Sequence, residues 1–144
     1  GRLVYSDRVK IDKAIQNGTF FENEAFLWAL RGCKKDGTRL HLLGIISFYS
    51  SHGPIDYPLN LLRLAKREGV SPVFLHGMLG RRGEHPESGA NYVEFLEKEM
   101  ERLSLGKMVS IIGRFWSLDR EENWDRIEKT YQLLIYGKGE PIQM

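Results

Sequence analysis

Apolar positions along this chain change from helical spacing to strand-like runs and back several times. Ile11, Ala14 and Ile15 mark a short helix that stops at Gly18. Thr19 and Glu22 form a capping-box pair, and Phe21, Ala25, Trp28 and Ala29 follow at helical spacing towards Gly37. Arg39–Ser47 (RLHLLGIIS) is a mostly apolar run of strand length, the pattern of a strand covered on both faces. Pro58 then lies near a helix start, Leu59, Leu62 and Ala65 share a face, and Gly69 fits a C-terminal cap. Val73–His76 reads as a second strand. Ser88 suits the cap of a long helix with Tyr92, Phe95, Leu96, Met100 and Leu103 inward. Lys107–Gly113 reads as a third strand, and a last helix carries Trp124, Ile127, Tyr131 and Leu134 as core residues before Gly137.

Strands alternating with helices imply right-handed crossovers and a parallel sheet. The expectation is therefore an α/β fold: a small parallel sheet of about three core strands covered by helices in three α/β/α layers. Residues 1–140 form one domain in this reading, with 141–144 as a tail or linker. Ligands of parallel sheets bind beyond the carboxyl ends of the strands, so the segments 47–54, 77–86 and 113–120 should converge.

Composition narrows the function classes. A chain of 144 residues can bury a core as one domain, and 42% hydrophobic with 11% aromatic residues excludes low-hydrophobicity disorder. Cys33 stands alone, which excludes an internal disulfide framework and points to a reducing, cytoplasmic setting. A formal net charge of +2 does not argue for nucleic acid as partner. No apolar run approaches the roughly 18 residues of a membrane span, and residues 1–7 lack the apolar centre of a signal peptide.

The converging segments carry the candidate chemistry. The first supplies Ser47, Tyr49, Ser50, Ser51 and His52; the second Arg81, Arg82, Glu84 and His85; the third Arg114, Trp116, Asp119 and Arg120. Guanidinium forks match phosphate and carboxylate oxygens, and Gly80 and Gly83 let backbone approach an anion, so the edge suits a small anion. Taken singly, each feature reads more plainly: Arg81-Arg82 as a solvated turn, His52 as exposed, His41 and His76 as packing histidines, Cys33 as inert. Joint placement on one edge is what favours function. No CxxC, HExxH, EF-hand, P-loop or GxSxG pattern occurs, so no metal site is expected in this chain.

Several longer motifs resemble one family. Gly1-Arg2-Leu3-Val4-Tyr5-Ser6-Asp7, Phe21-Glu22-Asn23 and Leu40-His41-Leu42-Leu43-Gly44-Ile45-Ile46-Ser47 fit the inserted substrate-binding domain of cofactor-independent (2,3-bisphosphoglycerate-independent) phosphoglycerate mutase. Gly113-Arg114-Phe115-Trp116-Ser117-Leu118-Asp119-Arg120, Trp124-Asp125-Arg126 and Tyr136-Gly137-Lys138-Gly139-Glu140 fit as well. The resemblance implies an isomerase of two domains that interconverts 3- and 2-phosphoglycerate in glycolysis. A phosphatase-like partner domain would bring two divalent ions, manganese or magnesium, and a transiently phosphorylated serine; this domain would need no cofactor of its own. It further implies that His52 is the catalytic histidine, and that Ser47, Arg82, Arg114 and Arg120 bind substrate; the loop residues themselves add Arg81, Tyr49 and Trp116 as candidate further contacts. An isolated domain of this kind would not turn over.

The ligand-facing loops depart from the family pattern. Where the family reads S-D-G-G-V-H-S-H, this chain has Ser47-Phe48-Tyr49-Ser50-Ser51-His52-Gly53-Pro54; where it reads D-G-R-D, this chain has Gly80-Arg81-Arg82-Gly83. Acids aligned at Phe48, Gly80 and Gly83 are absent and Arg81 is gained, so the edge is more positive than the pattern. The departures imply a changed or abandoned activity. They keep a second expectation open: a non-catalytic or redesigned binding module for a larger anionic ligand or a protein partner, anchored by Phe48, Tyr49 and Trp116. A folding unit without ligand is the third.

Overall fold

The computed structural model of the chain describes residues 2–49, 52–80, 83–85 and 87–142. Its order is α1 (Asp7–Asn17), a 3-10 turn (Thr19–Glu22), α2 (Glu24–Asp36), β1 (Leu40–Ile46), α3 (Asp56–Glu68), β2 (Val73–Leu79), α4 (Ser88–Leu103), β3 (Lys107–Gly113), α5 (Arg114–Ser117) and α6 (Trp124–Tyr136). The strands form one parallel sheet in the order β1-β2-β3. The α/β expectation holds. Gly18, Gly37, Gly69 and Gly137 each cap a helix C-terminus in the left-handed region, which is why the helices stop where glycine punctuates the chain. Among the described residues no helix is long and apolar enough to cross a membrane.

The register explains where the core lies. Leu42, Leu75 and Met108 share one face of the sheet, as do Ile46 and Gly77. Against that face pack Leu30 of α2, Leu59 and Leu62 of α3, and Leu96 and Met100 of α4. The opposite face carries His41, Leu43, Phe74, His76 and Ser110. α6 packs on β3 and α5 and contributes nothing to the main core. Cover on the two faces is thus unequal: Leu43 is 56% exposed, so β1 is not the doubly covered strand its composition suggests.

Three local expectations change. Thr19 and Glu22 lie in the 3-10 turn, and the cap of α2 is Asn23, whose Oδ1 accepts from the Ala25 and Phe26 amides at 3.0 and 3.2 Å. Starting there, α2 turns Phe26, Leu27, Leu30 and Cys33 inward and leaves Trp28 80% exposed. Trp124 and Tyr131 of α6 are likewise exposed, and Thr130 is the buried residue of that helix. Ser88 opens α4 as its first residue, with no side-chain cap from Glu87 before it.

The two strand histidines do more than fill space. His41 Nδ1 lies 2.9 Å from His76 Nε2, and His76 Nδ1 lies 2.6 Å from Ser110 Oγ, a polar ladder across all three strands. Burial, then the neighbouring His41, holds the His76 imidazole below its ordinary value. The unfolded chain therefore takes the proton first as pH falls. Stability from this group is full above about pH 6.5 and is lost as pH drops through the folded value. Urea unfolding between pH 5 and 8 should show that decline, flattened in His76→Asn.

Gly77 lies at the centre of β2, where a Cβ would collide with Cδ1 of Ile46 and sit 3.6 Å from Met108 Sδ. Ile46 is only 2% exposed, so it has little room to yield. Gly77→Ala should lower stability by about 1–3 kcal/mol through overpacking. Adding Ile46→Val, which removes the colliding methyl, should return part of the loss in the same denaturation measurement.

Candidate functional site

Three segments leave the carboxyl ends of β1, β2 and β3. The first is closed at its base: the Ile55 amide donates to the Ser47 carbonyl at 2.9 Å. Ser47 is fully buried there. Its hydroxyl donates to Oε1 of Glu84, in the second segment, at 2.5 Å and accepts from the Tyr49 amide at 3.3 Å. The Tyr92 hydroxyl of α4 donates to the same Glu84 oxygen at 2.9 Å. Burial, then the Glu84 carboxylate, pushes the Tyr92 phenol up, so it stays a neutral donor. Phe48 packs edge-on against Tyr92 and Phe95, with ring centroids 4.6 and 5.2 Å away. Tyr49 projects outward and is 70% exposed.

His52 lines a groove of about 290 Å³ that runs along β1 and the start of α3. Tyr57 forms part of its wall and donates to Asp12 Oδ1 of α1 at 2.9 Å. Burial and that carboxylate push the Tyr57 phenol up to about 12. Leu43, Ile45 and Leu61 make the remainder of the wall largely apolar.

The second and third segments meet at Gly80 and Arg114. Gly80 has φ +100°, and a Cβ on it would lie 3.2 Å from Cγ and 3.5 Å from Cδ of Arg114. A side chain here would displace the arginine stem, so glycine suits both the backbone and the contact. Among the described residues neither Arg114, half-buried, nor Arg120, exposed, has a carboxylate partner. Arg81 and Arg82 lie outside the described residues.

Asp119 organises the third segment beyond Arg114. It accepts the Glu121 and Asn123 amides, each at 3.0 Å, the Asn123 side chain at 2.8 Å, and Arg126 at 3.0 Å. Burial alone would raise its carboxyl, but these donors outweigh it and leave the group below the usual range. Arg126 also lies over the Phe115 ring at 4.1 Å. Trp116 is taken up by Phe115, at 4.9 Å between centroids, and by the Lys129 ammonium 3.8 Å above its ring.

The fold thus ties the first segment to the second through Ser47 and Glu84, and the second to the third through Gly80 and Arg114. Strand order sets His52 and Arg114 on opposite flanks of the β2 segment. Ser47, expected to meet ligand, spends its hydroxyl proton on Glu84. Sequence reasoning gave Glu84 no role and read Tyr92 only as core. The available signal was a single acid within the basic run Gly80–His85, next to a helix whose tyrosine faces inward. Among the described residues no three His, Cys, Asp or Glu side chains converge in a way that could hold a metal ion.

Residues 11–144 match the family model described as BPG-independent PGAM N-terminus. The chain is 42% identical over 139 residues to the 2,3-bisphosphoglycerate-independent phosphoglycerate mutase of Lachnoclostridium phytofermentans, covering 96% of this chain and 27% of that protein. It is 40% identical over 141 residues to the enzyme of the same name from Salinibacter ruber, again covering 96% of this chain and 27% of the other. Its backbone matches a crystal structure of Leishmania mexicana phosphoglycerate mutase with a TM-score of 0.80 at 21% identity, over 90% of this chain and 25% of that one. The chain therefore spans about a quarter of the length of these relatives. With the family model covering nearly all of it and the three-strand parallel sheet in agreement, the chain belongs to the BPG-independent phosphoglycerate mutase N-terminal family.

Proposed function

We propose that this chain is the substrate-holding part of a phosphoglycerate mutase, gripping phosphoglycerate during the glycolytic interconversion of its 3- and 2-phospho forms. The observation that carries the reading is Arg114: a half-buried guanidinium without a carboxylate partner among the described residues, its stem laid over Gly80 at the carboxyl edge of the sheet. A half-buried cation without a carboxylate is only partly solvated, and an anionic ligand would compensate it. Arg114, Arg120 and Arg82 neutralise phosphate and carboxylate, and His52 donates a hydrogen bond to the phosphoryl group. Arginine clamps and positioning are the main demands of phosphoryl transfer.

The chain corresponds to about a quarter of the relatives' length, and in this reading that quarter holds substrate while the phosphorylated serine and its metal ligands belong to the remainder. Turnover accordingly needs the phosphatase-like partner domain with its two divalent ions, and the isolated chain binds without turning over. A cytoplasmic setting goes with that activity.

One observation favours a second reading, a non-catalytic module for a larger anionic ligand. His52 lines a groove of about 290 Å³ whose wall is largely apolar, unlike a site built for a small charged acid alone.

Amide NMR titration of the chain with 3-phosphoglycerate, with inorganic phosphate as control, separates the two. Saturable shifts at residues 47–52 and 114–120 are expected, weakened about ten- to hundredfold in Arg114→Ala, as befits loss of a hydrogen bond to a charged group. No saturable response, or an unchanged one in the variant, would transfer the site to the second reading.

A further inference from the structure

Gly80 and Gly83 of the second segment both have positive φ, at +100° and +79°, and they bracket the arginine pair. Glycine-rich backbone is expensive to order, so something outside the segment must hold it. Within Gly80–His85 the only acid is Glu84. One oxygen of its carboxylate takes two hydroxyls from two different elements: Ser47 at the exit of β1 and Tyr92 on α4. Both donors belong to buried residues, and hydrogen bonds to an ionised acceptor are about twice as strong as neutral ones.

We infer that Glu84 is a positioning residue of the anion site, tying the β2 segment to the β1 segment so that the two present their ligand-facing groups together. The inference rests on the phosphoglycerate reading for its functional part and on geometry alone for the tie. Ser47 then acts as a strut, since its proton goes to Glu84 and its oxygen accepts the Tyr49 amide. A negative charge beside an anion site also disfavours the ligand. The tie must therefore outweigh that repulsion for the site to work, which makes charge and position separable by mutation.

The test compares Glu84→Gln, which keeps an acceptor oxygen and loses the charge, with Glu84→Ala, which loses both. Two readouts are taken on each: hydrogen exchange at residues 47–49 and 83–85 without ligand, and affinity for 3-phosphoglycerate by NMR titration. Positioning predicts that Glu84→Ala speeds exchange at the Tyr49 amide at least tenfold and weakens 3-phosphoglycerate at least tenfold. Glu84→Gln should rescue both to within about threefold of the parent, because an amide oxygen still accepts from Ser47 and Tyr92.

Tighter binding in both variants would mean that Glu84 acts only by repulsion, and would overturn the inference. Unchanged binding in both, with a lowered melting temperature alone, would reduce it to a fold-stabilising contact and overturn it equally. If the parent chain itself ignores 3-phosphoglycerate, the phosphoglycerate reading fails, and the exchange measurement still decides the tie. Tyr92→Phe, which keeps the ring in the core and removes one donor, gives an intermediate loss of protection if the tie is real. It supplies the answer should Glu84→Ala not fold.

Discussion

Everything at the carboxyl edge takes its position from β2. It is the middle strand, paired in parallel on both sides, and the segments that leave β1 and β3 can meet only across the segment that leaves β2. The strand is fixed by packing on one face and by hydrogen bonds on the other. Val73 and Leu75 are buried beneath α3 and α4, and Gly77 leaves room for Ile46 to cross. On the opposite face His76 bridges His41 and Ser110. A shift of one residue in β2 would exchange these two faces, burying imidazole and exposing Leu75. Gly80 and Glu84, which serve the edge, inherit their place from that register.

Charge at this edge is distributed in layers. Asp119 satisfies Arg126 and the backbone behind the third segment, and Lys129 lies over Trp116. Cations further from the sheet edge are thus already engaged, whereas Arg114 and Arg120 are left without carboxylates among the described residues. Phe48, Gly80 and Gly83 bring no charge of their own to the exits of β1 and β2. The single acid that remains in the β2 segment, Glu84, is turned towards two hydroxyls.

Strands and helix ends were legible in the sequence because their signals are local. Lys107–Gly113 needed only an apolar run between two punctuating glycines, and Gly69 and Gly137 stop α3 and α6 through a conformation that glycine adopts most cheaply. Facing was less legible. Trp28, Trp124 and Tyr131 look like core on composition, yet the start of α2 at Asn23 rotates its buried stripe to Phe26, Leu27 and Leu30. Four residues are too few to show a period, so α5 gave no sign. The meeting of the three strand exits could be inferred from topology, since parallel strands put those ends together. Its internal wiring could not. Ser47 and Glu84 are 37 residues apart, and no local pattern announces a bond over that distance.

That wiring extends beyond Ser47 and Glu84. Phe48 packs its ring on Tyr92 and Phe95, and Tyr92 in turn donates to Glu84, which holds Ser47. Five residues from three elements form one contact, in which the carboxylate takes two hydroxyls and the Phe48 ring, still 36% exposed, rests on two aromatic rings. Without Tyr92 beside it Phe48 would expose still more of its ring, and Glu84 without two donors would be a half-buried charge lacking partners. Each of these side chains depends on another for its partner. The β1 and β2 segments are therefore one contact unit, in which Ser47, Phe48, Glu84 and Tyr92 hold one another in place across the sheet edge.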